Sequence, residues 1–212
     1  MDDLTAALQR LPDAFPGDPG PAADPFTLKD PFDSFVWYSS GVSAGERHAQ
    51  TQIWTPRILR LLTSGELTYV DQVPARFREA GWPDWPPHRR AAVEDVLRAW
   101  WTATITQHPS PLPMTDVLTV VTHLSGEVEP WLTTWSATGG VAAALQLNDL
   151  LSGHVSWSYC IYDFDEEAAD DAIWHWLLRD GIDLLLALPP GATQDAALAR
   201  LAELESMGPW WV

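Results

Sequence analysis

The sequence predicts a mostly all-α protein, for which an irregular helical bundle is one of two arrangements. Three observations predict it. Apolar residues recur at i, i+3 and i+4 over most of the chain after residue 43. Proline and glycine punctuate these runs so that each segment is about 10 to 20 residues long. A single stretch, "VSWSYCIYDF", alternates with the two-residue period of a strand.

The elements follow in order. "LPDAFPGDPGPAADPFTLKDPFD", residues 11–33, holds six prolines with several Asp and Gly, so it reads as an extended arm. Phe15, Phe26 and Phe32 are spaced to pin that arm onto the body, and a disordered tail that binds another molecule is the alternative. Ser43 with Glu46 makes a capping box for a helix that runs to Pro56. Thr55 and Pro56 then give a second start signal, N-cap followed by N1, for a helix ending near Gly65 with Ile58, Leu61 and Leu62 on its apolar stripe.

From Pro86 to Thr106, Val93, Val96, Leu97, Trp100, Trp101, Thr104 and Ile105 share one face, and Arg90, Glu94 and Arg98 line the other at ion-pair spacing. "PLPMTDVLTVVTHLSG" repeats the pattern through Val117, Val120, Val121 and Leu124 and stops at Gly126. "EVEPWLTTWSATGG" opens with acids before Pro130 and pairs Trp131 with Trp135; "VAAALQLNDLLSG" aligns Ala143, Leu147, Leu150 and Leu151. The last strong helix, "TQDAALARLAELESM", has Thr193 as N-cap, Asp195 in its first turn, and Leu198, Leu201 and Leu204 facing inward. Beyond it, Gly208 and Pro209 end the helix and leave Trp210 and Trp211 on a short tail, either folded back on the body or offered to a partner.

A strand over 155–164 needs a partner, for which "SFVWY" (34–38) and "ELTYV" (66–70) are the candidates; a minor β-hairpin and an irregular connection are the two readings. The domain organisation expected is a Pro-rich N-terminal arm over 1–34 and a single helical domain over 35–212. The short helical pairs after residue 86, with "WLTTW" and "WHWLL" 43 residues apart from Trp131 to Trp174, resemble HEAT-like α-solenoid proteins over about half the chain. That resemblance implies a protein-binding scaffold without a catalytic centre.

Composition sets limits on function. Twelve basic against 29 acidic residues give a formal charge of −17, which repels nucleic acid and anionic membranes; solubility accounts for such a charge, and a docking surface for a basic partner is the alternative reading. No apolar run reaches the roughly 18 residues of a membrane span, and the start "MDDLTAALQR" is acidic where a signal peptide would be basic, so a cytoplasmic location is expected. Cys160 is the one cysteine, without a second thiol for a disulfide or a zinc clip.

"YDFDEEAADDAIWHWLLRDG", residues 162–181, places six carboxylates in ten positions ahead of a histidine. On a helical wheel Ala169, Ile173, Trp176 and Leu177 form the apolar stripe, and Glu167, Asp171 and His175 stack at i, i+4 and i+8 on the opposite, solvent side. Acids in a first helical turn are favoured by the exposed N–H groups there, with Asp163 or Asp165 as N-cap, so the cluster needs no catalysis to explain it. The metal reading rests on Glu167, Asp171 and His175, but the spacing is Asp-x-x-x-His with no second copy, where di-iron bundles use paired Glu-x-x-His, and no EF-hand loop occurs. No nucleophile elbow, P-loop or dinucleotide fingerprint occurs, and His48, His88, His108, His123 and His154 carry no assignable role.

The function expected is therefore non-enzymatic: a protein–protein interaction or adaptor protein with an acidic, Trp-rich surface and no cofactor, whose Trp210 and Trp211 are candidate partner-binding residues. Two alternatives are a metal-assisted hydrolase built on Glu167, Asp171 and His175, and a small-ligand binder that stacks its ligand on exposed indoles.

Overall fold

A computed structural model of the chain describes residues 3–16, 44–67, 70, 72–152 and 166–207. Nine α-helices and one 3-10 turn form among the described residues, with no strand, so the protein is all-α there. The alternating stretch 155–164 and its candidate partner 34–38 lie outside the described residues, as do Thr68 and Tyr69 of the second candidate, and with them Phe26, Phe32, Ser43, Cys160, His154, Asp163, Asp165, Trp210 and Trp211. The chain divides into two compact units, 1–100 and 101–212, with the division falling between Trp100 and Trp101.

In the first unit α1 spans Asp3–Ala14, α2 Ala44–Ser64 and α3 Gln72–Glu79; a 3-10 turn covers Trp82–Asp84, and α4 spans Pro87–Thr106. The early residues of the expected arm are thus helical. Ala7, Leu11 and Phe15 recur every fourth residue and are all buried, and this stripe outweighs Pro12, which costs a hydrogen bond one turn from the helix end. Phe15 pins the segment, as its spacing predicts.

The two helices expected to meet at Pro56 are one, with Pro56 inside α2. The reason lies in Thr55: its Oγ1 donates back to the Thr51 carbonyl at 2.8 Å, as an interior helical threonine does, and does not cap a new first turn. Gly65, at φ 76°, takes the left-handed conformation that ends α2. The short helix α3 went unpredicted. Its Val73 and Phe77, four residues apart, are buried with Pro74.

Around them Phe15, Phe77, Trp82 and Trp85 form an aromatic core, with Trp82 and Trp85 edge to face at 5.3 Å. Gly81, at φ 68°, turns the chain so that both indoles enter. Trp85 Nε1 donates to the Ala80 carbonyl at 2.9 Å. On the outer face of α4, Arg98 pairs with Glu94 and Asp95 at 3.0 and 2.8 Å, while Arg90 turns to the Pro83 carbonyl at 3.2 Å, so the expected ladder forms at its C-terminal half.

The second unit comprises the end of α4 followed by α5 Met114–Ser125, α6 Glu129–Thr138, α7 Gly140–Ser152, α8 Glu166–Leu185 and α9 Ala192–Met207. The expected stripes are inside: Val117, Val120, Val121 and Leu124 on α5, Ala143, Leu147 and Leu150 on α7, and Ala169, Ile173, Trp176 and Leu177 on α8. On α9 Leu201 is buried while Leu198 and Leu204 are half-buried. Gly181 sits inside α8 where a Cβ would come within 3.3 Å of Leu201 Cδ2, so the absence of a side chain lets α8 and α9 approach closely.

The core of this unit is indole on indole. Trp101 packs edge-on against Trp131 and Trp135, and Trp135 lies against Trp176 at 4.9 Å. Each N–H finds an acceptor inside the unit: Trp101 to the Trp131 carbonyl, Trp131 to Ser125 Oγ, Trp135 to the Ala143 carbonyl and Trp176 to Ser136 Oγ, all between 2.8 and 3.1 Å. The "WLTTW" and "WHWLL" segments therefore pack on one another, through Trp135 and Trp176.

Candidate functional site

Eight of the nine described tryptophans are buried, and Trp54 is half-buried. The expected Trp-rich surface is therefore absent among the described residues. Indoles fill the interior because each offers the largest apolar area of any side chain and its one donor is satisfied by a neighbouring carbonyl or hydroxyl. The ligand-stacking alternative has no fully exposed indole among these residues.

What the described surface does present is acid. Ten of the twelve Lys and Arg and fourteen of the 29 Asp and Glu fall in residues 1–100; two basic and fifteen acidic residues fall in 101–212. The formal charges are −4 and −13. Both basic side chains of the second unit are engaged within it: Arg179 donates through Nε and Nη2 to the Asp180 carboxylate, 3.0 Å each, and Arg200 donates to Asn148 Oδ1 and Ser152 Oγ at 3.2 and 2.9 Å. Glu127, Glu129, Glu167, Asp171 and Asp183 are exposed, as are Asp195, Glu203 and Glu205 on α9. Asp149, also exposed, accepts from His108 Nε2 at 2.9 Å.

Glu167, Asp171 and His175 lie on the solvent face of α8, where the wheel puts them. His175 Nδ1 donates to the Asp171 backbone carbonyl at 2.7 Å, so the ring folds onto its own helix and meets the carbonyl of Asp171 in place of its carboxylate. Among the described residues no group of three or more His, Cys, Asp or Glu is arranged to hold a metal ion.

Asp180 marks where charge is tied into the core. Its carboxyl is held below the ordinary carboxylate range, first by the Arg179 guanidinium and also by Ser136 Oγ, which donates to Oδ2 at 2.8 Å. Ser136 Oγ in turn accepts from Trp176 Nε1, so a surface ion pair is linked through one hydroxyl to a fully buried indole.

One cluster has no signature in the sequence. On the inner side of α2, His48, Thr51, Gln52 and Thr55 form a polar stripe at i, i+3, i+4 and i+7, with Thr51 and Thr55 fully buried. Gln52 Nε2 donates to His48 Nε2 at 2.7 Å, and Gln52 Oε1 accepts from Arg89 Nη1. Arg89 Nε donates to the Ala14 carbonyl at 3.2 Å, and its guanidinium lies 5.5 Å from the centre of the Phe15 ring. Arg89 thereby links α4 to α1 and α2. Residues 4 and 37 positions apart are joined here, and only the four-residue spacing of His48 and Gln52 was visible in advance. Thr51 Oγ1 is buried with no hydrogen-bond partner among the described residues.

No family model matches the chain, and neither a curated protein nor a solved structure matches it. Among the described residues no helix is long and apolar enough to cross a membrane.

Proposed function

We propose that this protein is a non-enzymatic cytoplasmic adaptor whose acidic second unit docks a protein with a basic surface. The observation that supports it is the charge partition: the second unit carries −13, and its two guanidinium groups are already bonded inside it. Unscreened exposed carboxylates raise the association rate of cationic surfaces and repel phosphate backbones and anionic lipids. The half-buried His48 and Arg89 and the buried Gln52 bond to one another and to a backbone carbonyl, an arrangement that ties helices together.

The test is capture by the intact protein at about 0.1 M and about 0.3 M salt, a range over which exposed charge attraction is progressively screened. The proteins captured should be enriched in basic surfaces relative to the input and should elute at the higher salt. Charge-neutral variants combining Glu127, Glu129, Glu167, Asp171, Asp183 and Asp195 should lose them. A captured set no more basic than the input, or one indifferent to these variants, overturns the proposal.

A further inference from the structure

Four large hydrophobic side chains are exposed among the described residues: Ile53, Val141, Ile182 and Leu186. Isolated exposed apolar residues are ordinary. Ile182 and Leu186 are not isolated. They stand four residues apart, 48 % and 56 % exposed, and they continue the exposed face of α8 that carries Glu167, Asp171 and His175. At about 100° per residue, Glu167, Asp171, His175, Arg179, Ile182 and Leu186 fall within about a third of the helix circumference. From Glu167 to Leu186 this strip is about 28 Å long, at the rise of an α-helix.

The strip changes character along its length. Its N-terminal half offers two carboxylates that no basic side chain of the unit neutralises. Arg179, in the middle, is matched by Asp180. The C-terminal half is apolar, with the exposed carboxylate of Asp183 beside it. A second copy of this chain would bring another −13 unit against the strip and is disfavoured by the same repulsion.

We propose that the solvent face of α8 is a docking strip for a basic amphipathic helix of a partner protein, with cationic side chains set against Glu167 and Asp171 and apolar ones against Ile182 and Leu186. This rests on the adaptor reading above and gives it a location. Apolar anchors at i and i+4 set the register of such a helix, and the carboxylates set its direction, since a reversed helix would place its cations on Ile182 and Leu186.

The experiment uses the full chain and a designed Leu/Lys peptide of about 18 residues, long enough to cover the strip, whose helical periodicity puts Lys on the contact face at one end and Leu on it at the other, beside a scrambled peptide of the same composition. Affinities are read by fluorescence anisotropy at about 50 mM salt, where exposed charges still act over about 14 Å. The periodic peptide is expected to bind about tenfold more tightly than the scrambled one, a difference of about 1.4 kcal/mol. Ile182→Ser with Leu186→Ser, and separately Glu167→Gln with Asp171→Asn, should each remove that advantage and leave the circular dichroism unchanged. Glu203→Gln with Glu205→Gln on α9 should preserve it.

Equal binding of the two peptides, or an advantage that survives both α8 variants, overturns the strip while leaving the adaptor reading standing. Failure of both peptides to bind counts against both. Light scattering that shows a dimer, dissociated by the Ile182 and Leu186 substitutions, would assign the strip to a second copy and overturn the proposal.

Discussion

In residues 1–100 a guanidinium ties the helices: Arg89 reaches the Ala14 carbonyl, the Gln52 side chain and the face of Phe15 from one position on α4. In residues 101–212 the indole core is tied by neutral bonds, with indole N–H groups donating to a carbonyl or hydroxyl of a neighbouring helix, while the charged ties of Arg200 to α7 and of Asp180 to Ser136 lie at the exposed or half-buried margin. Both units bury tryptophan at their centre. They differ in where the charge goes. The first turns a cation inward against an aromatic ring and a carbonyl, and the second, which buries Asp170 and His123, leaves most of its carboxylates exposed. The difference teaches that −17 is not a uniform coat. It is concentrated on the unit whose core is closed by indole N–H bonds.

Several substitutions can break or sharpen that contrast. The largest effect belongs to the indole core: Trp135→Ala removes a fully buried ring held between Trp101 and Trp176 and should cost about 3 to 5 kcal/mol. Hydrogen exchange should then show protection lost first in residues 101–212. Equal loss in both units would show that they unfold as one.

Next in size, Arg89→Ala should cost about 1 to 3 kcal/mol by leaving the Gln52 and Ala14 acceptors without their donor. Arg89→Lys should recover less than half of that in urea unfolding, because an ammonium cannot reproduce the planar fork. Full rescue by lysine would mean that the positive charge alone mattered.

In the second unit Ser136→Ala removes the hydroxyl between Trp176 and Asp180 and should cost about 1 kcal/mol. The same site gives a pH signature. Because the Asp180 carboxyl is held below the ordinary value of 3.8 by Arg179 and Ser136, its contribution is complete above that value and is lost as pH falls through the depressed folded one. The stability difference between wild type and Asp180→Asn should shrink as pH drops below 3.8, and a constant difference from about pH 6 to about 2 would contradict the linkage.

Among the described residues, two buried threonine hydroxyls lack partners, Thr51 and Thr122, and they offer a matched pair, one in each unit. Thr51→Val and Thr122→Val should each be neutral or stabilising by up to about 1 kcal/mol, since each removes an unsatisfied polar atom at constant shape. A loss above about 1 kcal/mol at either position would reveal a hydrogen bond made in solution. The smallest effect separates the units by salt: raising ionic strength should relieve repulsion in the −13 unit and increase amide protection there more than in residues 1–100.

Much of this was written along the chain. The stripes of α4 to α9 are regular enough that Val117, Leu124, Leu147, Ile173 and Trp176 could be placed inside from spacing alone, because a helix of known pitch turns every third and fourth residue to one side. The same geometry put Glu167, Asp171 and His175 on the solvent face of α8. Local rules failed where they competed with burial. Pro12 and Pro56 read as interruptions, yet Leu11 with Phe15 and the continuous inner face of α2 keep both helices intact. What tertiary structure alone decided is which distant groups meet. His48, Gln52 and Arg89 form one network, and Ser136 joins Trp176 to Asp180 across 40 residues or more. Helical periodicity fixes a side chain's direction from its own axis, whereas the choice of partner depends on how several axes pack together. For the same reason the tryptophan count pointed to indoles in the core without saying which of them meet, whereas the charge of each unit could be counted from the sequence once the boundary between the units was known.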